Sequence, residues 1–459
     1  MASLNGRPFQ LSFAILVAIV GVVGGGCARS MQSIDLARDA YVSGDFQVAD
    51  ETLSQFAEKQ GGVSDAAALD LAMVDLASGN VRSAEARLRH LRDKFDTSPK
   101  LALVSEAAST VTDDRVRRYH PSGYEEVMIR AMLSLCSLAS DQTDAESYAL
   151  QATEKQNELS REAESRGFLS PGEVYQPLAL APYLRGIMRE ATHHDFDDAA
   201  KAYRLVSAVR PQFAPAAEDI QRASGGSHSQ AGHGVLYVIA CVGRGPVLQE
   251  TVAETTSAAL SIASSVLNAE TNEEESADGK KRVNGPVLPN IASVKVPLVV
   301  IPPSPIAAIG IRSGGQLLGA TQTITDVGEL ATRQVESEMP YTIARAVVRR
   351  ATKEAAVAKV GNSIGLNGSV GSLFHFAAAS AWAGSEKADT RCWGLLPREI
   401  QVFRCELPAG DHIVSLDPLG FNGQSIGLPV NEHVQIVNGR NTYRIAIAPA
   451  EKVFVSSSP

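Results

Sequence analysis

Apolar positions in the first half of the chain recur at helical spacing. Gly44-Asp45-Phe46 is followed by Ala49, Leu53 and Phe56, and Gly79-Asn80-Val81 by Ala84, Leu88 and Leu91. Steps of three and four place each set on one face of a helix. The glycine suits the left-handed end of a preceding helix, and Asp or Asn suits the cap of the next. Ala37, Ala40 and Tyr41 mark the first of those preceding helices, and Leu69, Ala72, Met73 and Leu76 the second. A weaker unit places Val127, Met128, Met132, Leu135 and Leu138 before Ser140-Asp141, then Ala145, Ala149 and Ala152. A fourth runs from near Tyr183 to Ala191, turns at His194-Asp195-Phe196, and continues through Ala199, Tyr203 and Val206.

The first two units are 35 residues apart, from Gly44 to Gly79. That is close to the ~34-residue period of tetratricopeptide repeats. The later units are spaced more widely, with room for extra turns or helices around 93–118 and 153–182. The pattern predicts a degenerate tetratricopeptide-like array of α-helical hairpins over 32–222. Such hairpins cannot bury their apolar faces alone, so they stack and leave a concave groove.

Past Pro211 the pattern changes. The Gly/Ser/His-rich stretch 223–234 predicts a linker, with His228 and His233 solvated. Val235 to Val242 is a buried-strand candidate closed by Gly243-Arg244-Gly245-Pro246. Val294 to Ile301 and Ile306 to Ile311 are further strands, separated by prolines. Asp326 opens one helix and Pro340-Tyr341 another, the second carrying Arg345, Arg349, Arg350 and Lys353. The segment 361–371 reads as a loop or tight contact, and 373–382 as a short helix. Near the end, Gly410-Asp411 and Asn438-Gly439 are hairpin turns between short alternating strands. The expected fold is α+β and multidomain. The helical array comes first, and a mixed α/β domain over 235–459 follows, with a small β-sandwich-like sheet, flanking helices and terminal β-hairpins.

The N-terminus carries a different signal. Arg7, the apolar run Phe13 to Val23, and Gly24-Gly25-Gly26 precede Cys27. This is the layout of a secretory signal over 1–26 that ends at a lipidated cysteine, with 27–31 as a tether. Gly24 stands where a large aliphatic residue is usual, which leaves ordinary cleavage or an uncleaved anchor as alternatives. The run is too short for the ~20 residues that span a bilayer. Ala28 favours export to the outer membrane, facing the periplasm.

Composition narrows the classes further. The 459 residues carry a net charge of -9, with no long basic run, so nucleic acid is not expected as a partner. The chain has no Cys-x-x-Cys pair and no Gly-Lys-Ser/Thr phosphate loop, so neither a metal nor a cofactor is expected. Cys392 and Cys405 are either a disulfide or free buried thiols. No compact set of catalytic side chains stands out.

At Ala388-Asp389-Thr390-Arg391-Cys392-Trp393-Gly394-Leu395-Leu396-Pro397 the chain resembles an uncharacterised family of bacterial envelope lipoproteins. Pro121-x-x-Tyr124-Glu125-x-Val127 and Leu407-Pro408-Ala409-Gly410 fit the same resemblance. It implies a lipoprotein attached through Cys27, working with a protein partner in the envelope, and it brings no assigned activity to transfer. Arg391 and Trp393 are either a stacked structural pair or an exposed recognition surface. The expected function is a membrane-tethered interaction or assembly factor acting through the repeat groove. A periplasmic spacer and a hydrolase of envelope polymer are the alternatives. A groove lined by polar and aromatic side chains favours binding; one filled by the second half of the chain favours the spacer.

Overall fold

The computed structural model describes residues 30–59, 61–98, 119–165, 177–278, 292–363 and 387–456. The signal segment 1–26, Cys27, the stretch from 364 onward that contains most of the glycine-rich run, and the 373–382 helix candidate lie outside the described residues.

The first half folds as consecutive helical hairpins. They pair α1 (30–43) with α2 (Phe46–Ala57), α3 (Ser64–Ala77) with α4 (Val81–Thr97), α5 (Gly123–Leu138) with α6 (Ala145–Ser165), and α7 (Leu180–Glu190) with α8 (Phe196–Val209). A last helix, α9 (Pro215–Ser224), packs on α8. Each hairpin turn holds a residue in the left-handed region: Gly44 (φ 83°), Gly79 (φ 84°), Gln142 (φ 65°) and His193 (φ 60°). The sequence announces only the two glycines. At Gly44 the next residue caps α2 as the pattern predicts, the Asp45 carboxylate accepting from the Val48 N–H at 3.2 Å. The α5 start is fixed by a capping box between Ser122 and Glu125.

The two helices of each hairpin differ in burial. α4 buries one stripe, Val81, Ala84, Leu88, Leu91 and Phe95, and leaves the rest exposed or half-buried. By contrast α3 is buried from Asp65 to Ala77 except at Ala68, and every residue of α5 is buried. A helix covered all round lies between two layers. Here the layers are the second helices on one side and a β-sheet on the other.

That sheet is centred on β1 (His233–Val242). Its strand order is β11-β10-β1-β7-β6, with β7 (Glu399–Pro408), β10 (Asn441–Ala448), β6 (Gln322–Asp326) and β11 (Phe454–Ser456). β1 runs parallel to β10 and antiparallel to β7. A second, antiparallel sheet has the order β5-β4-β8-β9, with β4 (Ile306–Ser313), β5 (Gln316–Ala320), β8 (Gly410–Gly420) and β9 (Val430–Ile436). β1 separates two cores by alternation. Val235, Tyr237, Ile239 and Cys241 join the core shared with the helices. Leu236, Val238, Ala240 and Val242 join the core between the sheets. A third core is built by the hairpin β2 (Val247–Glu254) and β3 (Ser293–Val300), by α10 (Ser257–Asp278), and by the second part of α11 (Val327–Ser363). The molecule is α+β, with a two-sheet unit behind the helical layers.

Three expectations are corrected. Neither expected terminal hairpin forms, and Gly410 and Asp411 are already the first residues of β8, paired with Ile436 and Gln435. β7 lies in the five-stranded sheet and β8 in the four-stranded one; β9 and β10 are divided in the same way. The chain turns a corner between sheets at each place. At the second corner Arg440 N–H donates to Val437 at 3.0 Å and Gly439 N–H to His233 at 2.8 Å. The corner closes over Gly234, where any Cβ would sit 2.3 Å from the Val437 carbonyl oxygen. Next, Asp326 and Pro340 do not open separate helices. α11 runs through Pro340. An interior proline costs about 3 kcal/mol, offset here by burial of Val327 and Ala331 before it and Ile343 and Val347 after it. Finally, His228 is not solvated: it is 3% exposed, and its Nε2 is 2.8 Å from Asn441 Oδ1.

Candidate functional site

The inner helices α1, α3 and α5 each place one charged side chain on the face turned toward the sheet. Arg38, Asp70 and Glu125 are buried polar groups in a mostly apolar layer. Burying a charge is costly unless it is paired and hydrogen-bonded. The partner is the segment 387–398, which passes across all three helices on its way to β7.

The bonds go chiefly to the backbone of that strap. Arg38 Nη2 donates to the Cys392 carbonyl at 2.8 Å, and its Nε to Asp70 Oδ2 at 2.8 Å. Asp70 Oδ1 accepts the Leu395 N–H at 2.9 Å. Glu125 Oε1 accepts the Trp393 N–H at 2.6 Å, while its Oε2 accepts from the Tyr119 hydroxyl, the Ser122 N–H and the Ser122 hydroxyl. Further along, the Ala388 N–H donates to Glu250 on β2 at 2.8 Å. The inner face of the helical array is thus bonded to residues 392–395 of the same chain.

Electrostatics match this geometry. Burial works against the Arg38 charge, but Asp70, Cys392 and Asp35 around it hold its pKa above the usual arginine value. Burial leaves Asp70 above the ordinary carboxylate range, against the pull of Arg38 and of the Leu395 N–H. Burial also raises Glu125, opposed by its donors from Trp393, Tyr119 and Ser122. Gly394 is required by packing, since a Cβ there would lie 2.2 Å from the Arg38 Cζ.

Arg391 and Trp393, singled out from sequence, are both in the strap. Arg391 is 7% exposed and Trp393 is fully buried, which overturns an exposed recognition surface. Arg391 donates Nε and Nη2 to Asp389, at 2.8 and 2.6 Å, and Nη1 to the Gly62 carbonyl between α2 and α3, at 2.5 Å. The Trp393 indole N–H is buried with no hydrogen-bond partner among the described residues. Cys392 and Cys405 are free thiols, each pushed up to about 12 by burial. Among the described residues no group of three His, Cys, Asp or Glu side chains is placed to hold a metal ion.

The sequence reading missed Arg38 and Asp70. A signal existed for Asp70: an acid inside the run Leu69-Asp70-Leu71-Ala72-Met73 sits where a solvated face is absent. Glu125 was noticed only within a short motif, without its partner 268 residues away.

Beside the strap a cavity of about 410 Å³ remains open. Its walls come from α1, the β1–β2 turn, the proline turn after β3, and residues 394–397. No protein-family model matches this chain, and neither does any curated protein or solved structure.

Proposed function

We propose that the protein is a membrane-tethered spacer and assembly scaffold of the bacterial cell envelope. It is exported by the segment 1–26, held through acyl chains on Cys27, and placed at the outer membrane facing the periplasm. In this reading the hairpins are tetratricopeptide-like, and their groove has been turned inward to carry the chain's own β-domain. One observation supports it above others: Arg38, Asp70 and Glu125 spend their hydrogen bonds on the backbone of 392–395. A groove so occupied has little capacity for a second peptide along its length. A protein partner in the envelope would then dock on other surfaces of the scaffold. Among the described residues no helix is long and apolar enough to cross a membrane. The resemblance of the 388–397 segment to envelope lipoproteins belongs to the same proposal.

A second reading keeps the groove as the partner site. The cavity at its α1 end favours it, because that part of the inner face is not covered by the strap. Cross-linked affinity capture from membranes separates the two. The scaffold reading expects the same partners from the parent protein and from a folded variant with the cavity narrowed by Val42→Trp. Loss of all partners in that variant would move the function to the groove. Fatty-acid labelling of the parent, lost in Cys27→Ser, tests the tether; an unlabelled parent removes it.

A further inference from the structure

The connection between β8 and β9 carries the two most exposed large apolar side chains among the described residues. Phe421 is 76% exposed and Leu428 86%. Single exposed apolar groups are ordinary. These two share one turn, 421–429, and that turn lies in an uncharged stretch. From Pro418 to Asn431 the chain holds no Asp, Glu, Lys, Arg or His, although charged residues make up 20% of the whole chain. A turn that stays in water has no reason to avoid charge, whereas a surface that leaves water has.

The turn is also closed on itself. Gly420 N–H donates to the Gln424 carbonyl at 2.8 Å, Gly423 N–H to the Gly420 carbonyl at 2.8 Å, and Ile426 N–H to the Pro418 carbonyl at 2.9 Å. The Asn422 side chain accepts from the Gln424 N–H at 3.1 Å, and the Ser425 hydroxyl donates to Asp417 at 2.5 Å. Backbone groups paired in this way need no water, which is the condition for entering lipid. Ile426 packs against the core between the sheets, so the turn is held from below and loses little entropy on contact.

Its place in the fold suits a membrane that holds Cys27. Gly427 lies so close to the Glu451 carbonyl that a Cβ would be 2.2 Å from its oxygen. The next residue, Lys452, donates Nζ to the Ser43 carbonyl at the end of α1, at 2.7 Å. α1 begins three residues after Cys27, and its 14 residues span about 20 Å at ~1.5 Å each. The turn is thus linked to the tethered end through a single helix. It offers a protein partner no charge to complement, and lipid requires none.

We propose that the turn 421–429 dips into the lipid interface, with Phe421 and Leu428 at the boundary of headgroups and acyl chains. This rests on the membrane-tether reading and deepens it. An acylated terminus alone fixes no orientation; a second contact holds the molecule one way up on the bilayer. Attachment through two signals is also firmer than through one.

The test uses the full-length protein on phosphatidylcholine vesicles with plain or brominated acyl chains. Flotation of the parent is read first, and a parent that stays in solution removes the tether and the proposal together. Phe421→Trp and Leu428→Trp then serve as depth probes, each read as the difference from the parent, whose Trp393 is buried. The added emission is expected to shift to the blue and to lose about half or more of its intensity in brominated vesicles, as for a group ~5–10 Å into the boundary. Because the turn is uncharged, the loss should be the same in high salt. Val252→Trp, on β2 at a site 65% exposed and with Glu250 and Glu254 two residues to either side, should stay unquenched. A floating parent with either turn probe unquenched overturns the proposal and leaves the tether reading in place. So does equal quenching at Val252, or quenching that high salt abolishes.

Discussion

Glu125 shows how much one side chain carries in this molecule. Its two oxygens accept from the backbone N–H of Trp393 and from three donors at the α5 start. Only a carboxylate accepts from all of them. Glu125→Gln turns an N–H₂ group toward a donor and is expected to lower stability by about 2–3 kcal/mol, read as a shift of the urea midpoint at unchanged slope. An unchanged midpoint would show that the strap is held by packing alone. Trp393 poses the opposite question. Its ring fills the core, but its N–H is unpaired among the described residues. Trp393→Ala should cost about 3–5 kcal/mol. Trp393→Phe also removes the orphan donor but keeps a ring in the core, so it should cost at least ~1 kcal/mol less than the alanine variant. Equal losses in the two variants would mean that ring packing at this position contributes little.

Elements meet through a histidine pair where the helical layer joins the sheet. His193, in the α7–α8 turn, reaches the Gly439 carbonyl at 2.7 Å, and His228 lies against it with ring centroids 4.7 Å apart. Burial, followed by the nearby His193 and Arg404, lowers the His228 pKa below its ordinary 6.5, against the pull of Asn441 and Glu190. The sign follows directly. The unfolded chain takes up the proton first as pH falls, so this contribution is fully present above 6.5 and is lost progressively toward the folded pKa below it. Denaturant midpoints between pH 7 and pH 5 are expected to fall, and His228→Gln should flatten that limb. A parallel decline in both proteins would assign the acid sensitivity to other groups. The same contact explains why the Asn438-Gly439 turn does not close a hairpin: its two ends belong to different sheets, pinned to β1 and to the α7–α8 turn.

At the scale of the whole molecule, the strap and the shared core tie the helical array to the sheets. Trp393, Leu395 and Leu396 lie in one core with Leu69, Met73 and Met128. Array and sheet should therefore unfold in one transition, with circular dichroism in the helical band and buried-tryptophan fluorescence changing together. Asp70→Ala leaves the Arg38 charge without its buried partner. It should lower both signals' midpoints together, by about 3–5 kcal/mol. Two separated transitions would show that the halves are independent and that the groove is free in solution.

The sequence by itself determined the local elements. Helical periodicity and Gly-Asp or Gly-Asn punctuation located the hairpins, because 3.6-residue spacing and left-handed turns are short-range properties. The apolar run 235–242 marked a buried strand for the same reason. Tertiary structure alone decided what these elements face. The amphipathic pattern of α4 and the all-round apolar pattern of α3 mark the second as covered on both sides, but not what covers it. No turn signal tells whether the next strand pairs with the last one or crosses to another sheet. Nor does any local pattern tell that Arg38, Asp70 and Glu125 bind peptide groups 268 to 354 residues further along. Those contacts close very long loops. They are set by which buried charges find partners, and that is settled only when the layers come together.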